Sequence, residues 1–167
     1  MATINKNQIE SWLSAVTDPE VPVLNIFDLG IVRDIQLQHN TSQELEKVVI
    51  VITPTYSGCP AMDVISTQIR MILLSHKIPE VEIQQQLSPA WTTDWMPEAA
   101  HDKLKKYGIA PPQYRNKNDQ LFAEEKIECP KCGSLETELV SQFGATSCKA
   151  LYKCLTCKEP FEHFKCH

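Results

Sequence analysis

Four cysteines near the end of this 167-residue chain have the spacing of a metal site. They form two Cys-x-x-Cys pairs separated by 21 residues, Cys129 with Cys132 and Cys154 with Cys157. Each pair can place two thiolates on one edge of a tetrahedron around a single ion. Because four thiolates leave no open position for a substrate, the pattern predicts structural zinc with a role in folding and docking.

A single redox-active iron would take the same four thiolates. The first pair is followed by Gly133, whereas the second is followed by Lys158. This difference argues against the two matching turns of a one-iron site, so zinc is the preferred ion. Cys148 and Cys166, together with two histidines, remain as candidates for additional ligands, although packing is the favoured interpretation.

A lone cysteine, Cys59, stands among the first 128 residues. Pro60 is suited to the first position of a helix, which would make Cys59 the cap residue. Unpaired backbone N–H groups and the positive end of the helix dipole favour an anionic sulfur there. Such a thiolate could be a nucleophile, a sulfur carrier or a soft-metal ligand, and the alternative is a small buried apolar residue. The sequence leaves both open, and it leaves Asp28 as either an acceptor behind Cys59 or a turn residue.

The elements that must position these residues follow the order α-β-β-α-β-α. Apolar spacing predicts helices over residues 5–16, 61–75 and 97–107. Alternating or continuous apolar residues predict strands over residues 31–37, 48–53 and 81–87, with 48–53 as the central strand. The fold class is therefore α+β, a small mixed sheet with helices packed on one face, followed by a small C-terminal zinc ribbon.

A change in composition at Cys129 divides the chain. We expect an α/β domain over residues 1–110, a linker over residues 111–128 that begins with two helix-blocking prolines, and a zinc ribbon over residues 129–167. Strands 136–142 and 149–153 would form the hairpin of the ribbon. This hairpin would bring the two cysteine pairs together.

Composition excludes several classes of function. A net charge of -5 opposes binding to nucleic acid or to anionic lipid. The five glycines are too scattered to form a phosphate-binding loop. The longest apolar run has five residues, against about 20 for a membrane span, and no apolar signal segment occurs near Met1. We therefore expect a cytoplasmic protein with neither nucleic acid nor membrane as partner.

Three stretches of the sequence carry a resemblance to a known family. Residues 18–32, with Thr53-Pro-Thr and Gly58-Cys-Pro, resemble the cytosolic iron–sulfur assembly domain. Residues 91–95, residues 107–112 and the two cysteine pairs extend this resemblance along the chain. The whole sequence is similar to the D-subunit family, also called J, of bacterial phenylacetyl-CoA epoxidase.

The resemblance implies an accessory component of aerobic phenylacetate degradation without catalytic activity of its own. Its implied task is iron–sulfur cluster assembly or insertion for the reductase component. Implied partners are that reductase, other epoxidase subunits and the iron–sulfur assembly machinery. The positions that match the family's motif are Cys59, Asp28 and Thr53, and they imply transfer of sulfur, iron or a transient cluster. The alternatives are a one-iron, four-thiolate electron carrier and an architectural component of the oxygenase complex.

Overall fold

The computed structural model describes residues 4–42, 44–113 and 126–165. It divides the chain into two compact units, Met1–Trp91 and Thr92–His167. The predicted linker falls largely outside the described residues, because residues 114–125 are not among them. The domain boundaries at 110 and 129 stay a prediction. In the described part of the chain, no helix is long and apolar enough to cross a membrane.

The first unit contains two helices and a three-stranded mixed sheet. In chain order the elements are α1 (Lys6–Leu13), β1 (Val32–His39), β2 (Leu45–Ile52), α2 (Ala61–Ser75) and β3 (Glu80–Gln85). β2 lies in the middle, antiparallel to β1 and parallel to β3. The predicted central position of β2 is therefore confirmed. Its last five side chains are buried irrespective of the face on which they lie, as a continuous apolar run requires.

α1 is shorter than its apolar pattern predicted. A capping box begins the helix, in which the Asn5 side chain accepts from the Gln8 N–H and the Gln8 side chain accepts from the Asn5 N–H. The helix ends at Leu13 rather than at Val16. Val16 is nevertheless fully buried, and its carbonyl accepts from the Ile26 N–H at 3.1 Å. A tertiary hydrogen bond thus takes this residue out of the helix while keeping it in the core.

The second unit contains a short 3₁₀ helix, Thr93–Trp95, one α-helix and a four-stranded sheet. The elements are α3 (Glu98–Tyr107), β4 (Ile109–Ala110), β5 (Thr137–Ser141), β6 (Lys149–Cys154) and β7 (Pro160–Phe164), with sheet order β4-β7-β6-β5. The β5–β6 hairpin confirms the predicted ribbon hairpin. β4 and β7 were not predicted. α3 ends as predicted at Gly108, whose φ of 95° suits a residue without Cβ.

A small core of its own holds the second unit together. It consists of Ala110, Ile127, Cys129, Cys154 and Phe161. Two of the predicted metal cysteines are thus part of the apolar core. Ile127, which the sequence assigned to a linker, also belongs to this core and is 1% exposed. A unit with so few buried side chains depends on a bound metal for stability.

Candidate functional site

The ribbon brings the four predicted metal cysteines into one cluster. All four Sγ atoms lie within 4.8 Å of one another. The Cys129 and Cys157 Sγ atoms are 3.8 Å apart, and those of Cys132 and Cys154 are 3.6 Å apart. Both short contacts join one Cys-x-x-Cys pair to the other, so the hairpin has closed the site.

These distances fit a tetrahedral metal ion. Sulfurs that each lie about 2.3 Å from a zinc ion are separated by roughly 3.8 Å. Four thiolates are a donor set that zinc and iron both accept, and they leave no ligand position vacant. Cys129 and Cys154 are fully buried, whereas Cys132 is exposed. The cluster therefore fits a structural metal at the surface of the ribbon.

The two turns that carry these cysteines have matching backbones. Gly133 follows the first pair with φ of 73°, and Lys158 follows the second with φ of 66°. Both angles lie in the left-handed region, which disfavours residues other than glycine. The sequence difference at this position thus produces no difference in conformation. The argument that Lys158 breaks the symmetry of the turns was therefore wrong.

Hydrogen bonds make the four thiols unequal. The Cys157 backbone N–H, which donates to the Cys154 Sγ at 3.4 Å, lowers the pKa of the Cys154 thiol to about 6. The Ser134 backbone N–H lowers the pKa of Cys132, but desolvation and hydrogen bonds with neighbouring sulfurs outweigh it and raise this pKa to about 12. Negative charge therefore develops first on Cys154, and a bound cation displaces the remaining protons.

Cys148 lies outside the four-sulfur cluster. Its side chain is buried, and its Sγ is 3.1 Å from the Thr146 hydroxyl. His163 is buried as well, with Nδ1 3.2 Å from the Ala110 carbonyl and its ring edge against Tyr152. Cys166 lies outside the described residues. In the described part of the chain, the cysteines that gather into a metal-sized group are those of the two pairs.

Cys59 follows a tight turn between β2 and α2. The Cys59 N–H donates to the Tyr56 carbonyl at 3.2 Å, which closes a four-residue turn. Gly58 has φ of 79° in this turn, a conformation that favours glycine. The Cys59 side chain is half-buried. The turn therefore holds the thiol at the surface, directly before the helix.

The position of Cys59 differs by one residue from the prediction. α2 begins at Ala61 with Pro60 as its N-cap, so Cys59 precedes the cap. The Cys59 carbonyl accepts a three-residue hydrogen bond from the Met62 N–H at 3.2 Å, because the chain is already turning at Pro60, where φ is -67° and ψ is -22°. No side chain caps the helix. The thiol thus stays close to the N-terminus of α2 without occupying the cap.

An open cleft of about 440 Å³ lies beside Cys59. Its walls come from the turn after β2, the first turn of α2 and the end of β3. The lining includes the backbone of Gly58 and the side chains of Ser57, Asp63, Gln85 and Leu87. Sequence reasoning missed Asp63, Gln85 and Leu87, because their closeness to Cys59 depends on the parallel pairing of β2 and β3. The cleft offers one thiol, one carboxylate and an apolar rim to a ligand.

Asp28 and Thr53 are both buried, at 8% and 1% exposure. Asp28 accepts from the Asn25 N–H at 2.9 Å and thereby orders the loop before β1. Thr53 follows β2, and its N–H donates to the Ile31 carbonyl at 2.8 Å. Among the described residues, the buried Thr53 hydroxyl has no hydrogen-bond partner. The roles of both residues in transfer stay a prediction.

Trp91 fixes the loop that contains Asp28. The indole is 4% exposed, and its Nε1–H donates to the Leu29 carbonyl at 2.8 Å across 62 residues. This contact confirms the interpretation of Trp91 as a core residue. It also explains why a polar loop before β1 has a defined conformation.

Two family models match separate parts of the chain. Residues 6–84 match the family described as iron-sulfur cluster assembly protein. Residues 113–165 match the family described as PaaD zinc beta ribbon domain. The first match contains Cys59 and its cleft, and the second contains the four-sulfur cluster. Each predicted chemistry thus lies in the part of the chain whose family carries it.

A protein of Escherichia coli (strain K12) named as the D subunit of a "Putative 1,2-phenylacetyl-CoA epoxidase" is 47% identical over 169 residues. The alignment covers 99% of this chain and 98% of the relative. This chain belongs to the D-subunit family of phenylacetyl-CoA epoxidase. Full coverage shows that members of the family combine both units in one chain.

The first unit also occurs in shorter proteins. An "Fe-S protein maturation auxiliary factor" of Porphyromonas gingivalis (strain ATCC BAA-308 / W83) is 33% identical over 96 residues, covering 57% of this chain and 86% of that protein. The crystal structure of a domain of unknown function, DUF59, from Bacillus anthracis has a TM-score of 0.53 at 29% identity, covering 59% of this chain and 90% of that chain. The D-subunit family therefore adds a ribbon to a fold that exists without one.

Proposed function

We propose that this chain is an accessory factor, without catalytic activity of its own, that delivers or inserts an iron–sulfur cluster into the reductase component of a phenylacetyl-CoA epoxidase. Cys59 transiently holds sulfur, iron or a cluster, with Asp28 and Thr53 as supporting positions. The ribbon, stabilised by zinc on its four cysteines, docks the client. Partners are the reductase, other epoxidase subunits and the iron–sulfur assembly machinery.

The observation that carries this proposal is the exposure of Cys59 at an open cleft. A buried cysteine would be a packing residue, whereas this thiol is half-buried beside the N-terminus of α2. The cleft is open to solvent and is lined by one carboxylate, that of Asp63. One thiol with so few protein ligands suits transient holding better than permanent binding, because a stable cluster takes four thiolates. Family membership and the maturation factor of P. gingivalis support the same conclusion.

The test is the iron and acid-labile sulfide content of the epoxidase reductase, purified from cells with and without this gene. Reductase from deleted cells should carry its flavin but little iron and sulfide. Wild-type protein should restore both, and Cys59→Ser should not. Ser57→Ala is the matched control, because Ser57 lines the same cleft without a thiol. Unchanged cluster content in deleted cells, or full restoration by Cys59→Ser, would refute the proposal.

A second candidate function is electron transfer through one iron in the four-sulfur cluster. The observation that favours it is the matching backbone of the two turns at Gly133 and Lys158. Visible absorption of anaerobically purified protein separates the two functions, because zinc is colourless and ferric iron in four thiolates is red. We expect a colourless ribbon that contains one zinc per chain. A red protein with one iron per chain would favour the electron carrier.

A further inference from the structure

α2 is apolar on two sides. Its inner side contributes Ile65, Ile69 and Leu73 to the core. Its outer side exposes Val64 at 44%, Met71 at 66% and Leu74 at 56%. A surface helix normally has one apolar side, and a helix that is apolar on two sides is usually covered on both.

These exposed side chains form a continuous outer stripe, defined here as Val64, Thr67, Met71 and Leu74. The Thr67 hydroxyl donates to the Asp63 carbonyl of its own helix at 2.8 Å and needs no partner from outside. Successive members are three, four and three residues apart, so they lie on one side of the helix. This order of spacings is the same in both directions along the helix. An antiparallel copy of the stripe would therefore place Val64 against Leu74 and Thr67 against Met71.

Two unpaired charges follow the same symmetry. Asp63 and Arg70 lie along one edge of the outer stripe, seven residues apart. Within the described part of the chain, neither side chain has an ion pair. In the antiparallel arrangement Asp63 lies about 7.5 Å along the axis from the partner's Arg70, at 1.5 Å per residue, and an arginine side chain can span that distance. A parallel arrangement would instead oppose Asp63 to Asp63 and Arg70 to Arg70.

We propose that the outer stripe of α2 binds a second copy of this chain, with the two α2 helices antiparallel and paired by Asp63 and the partner's Arg70. One helix pair buries less surface than a standard interface, so the dissociation constant should be on the order of 10–100 µM. The dimer does not depend on the proposed function. It does affect the cleft, because Asp63 lines it and each pairing brings an arginine of the partner to its mouth.

The first test is the mass of the full chain at about 1 to 1,000 µM, a range that brackets the expected dissociation constant, by sedimentation equilibrium. The mass should rise from 18.9 kDa towards twice that value. Met71→Glu should abolish the rise, because it places a charge in the centre of the stripe. Val140→Glu, at a residue of β5 that is 55% exposed, should have no effect. A monomer at every concentration, or a dimer that survives Met71→Glu with unchanged affinity, would overturn the proposal.

The second test is a charge exchange that distinguishes antiparallel self-association from any other contact of the stripe. Asp63→Arg and Arg70→Asp should each weaken the dimer by roughly tenfold, because each brings like charges together. The double variant should restore an affinity within about threefold of the wild type, because the exchanged charges pair again. Circular dichroism should confirm an unchanged helix content. Failure of the double variant to recover would overturn the antiparallel register.

Discussion

At the scale of single residues, the ribbon shows one conformation reached by two different residue types. Gly133 and Lys158 hold equivalent places after the two cysteine pairs, and both have positive φ. For Lys158 this conformation costs about 1–2 kcal/mol relative to a right-handed one. The metal turns over-determine the backbone there, and the Lys158 Nζ also donates to the Leu155 carbonyl at 2.6 Å. The geometry of the cysteines, rather than the residue type, therefore sets φ.

This leads to opposite expectations for two alanine substitutions. Gly133→Ala should lower the free energy of unfolding of the zinc-loaded ribbon by about 1 kcal/mol, because a Cβ is disfavoured at positive φ. Space is not the reason, since the nearest atom to that Cβ would be Glu128 Oε1 at 3.6 Å. Lys158→Ala should change the stability by less than about 0.5 kcal/mol, because Lys158 already carries a Cβ. Thermal denaturation measures both, and equal effects would contradict this account.

At the scale of elements, a partly buried ion pair joins β6 to β7. The Lys149 Nζ is 2.8 Å from Glu162 Oε2, and the lysine side chain is 6% exposed. Glu162 Oε1 also accepts from the Ala145 N–H at 2.8 Å in the hairpin loop. A Cβ on Gly144 would lie 2.7 Å from the same oxygen, so the loop requires glycine for this close approach. The carboxylate thus connects the loop to both strands.

Loss of this carboxylate should destabilise the ribbon. Glu162→Gln should lower its free energy of unfolding by about 1–3 kcal/mol, because it leaves a buried ammonium poorly paired. Burial raises the pKa of Glu162, but hydrogen bonds from Lys149 and Ala145 outweigh it and hold the pKa below its ordinary value. The carboxylate therefore stabilises the fold above its unfolded pKa of about 4.5, and this stability is lost as the pH falls through the folded pKa.

Denaturant unfolding at pH 7 and pH 4 measures the effect. The difference between wild type and Glu162→Gln should be largest at pH 7 and should shrink towards pH 4. Glu138→Gln, on the exposed β5 strand, is the matched control and should be neutral at both values. A difference that does not depend on pH would mean that Glu162 acts through packing rather than charge.

At the scale of the whole molecule, two units with separate cores stabilise themselves in different ways. The first unit buries a continuous set of aliphatic side chains from its sheet and helices. The second depends on five small core residues, two of which are cysteines of the metal cluster. The folding of the first unit therefore needs no metal, whereas that of the ribbon does.

Removal of the metal should unfold the ribbon alone. A strong chelator, or Cys132→Ser, should expose the amides of β5, β6 and β7 to hydrogen exchange. The amides of β2 and α2 should keep their protection, because their core contains no metal ligand. Cys59→Ser is the control and should change neither set. Retention of metal and a normal melting curve in Cys132→Ser would refute the structural-metal assignment.

Local pattern was sufficient for most of the first unit and for the metal cluster. The apolar run of β2 predicted a central strand, and the spacing of Cys129, Cys132, Cys154 and Cys157 predicted a common site. Both follow from short-range rules, since side-chain period and ligand spacing are local properties. The resemblance to the D-subunit family was likewise contained in short motifs. By contrast, β7 was missed, because its residues form a strand only by pairing with β6.

The sequence by itself determined the residue types available for chemistry, the α+β class of the first unit and the four ligands of the ribbon. Only the tertiary structure decided what surrounds Cys59. Asp63 lies in the helix after it, but Gln85 reaches the cleft only because β3 pairs in parallel with β2. Likewise, only the packing of α2 showed which of its apolar side chains remain exposed. The physical reason is that burial and proximity depend on contacts between residues distant in sequence, which no local pattern specifies.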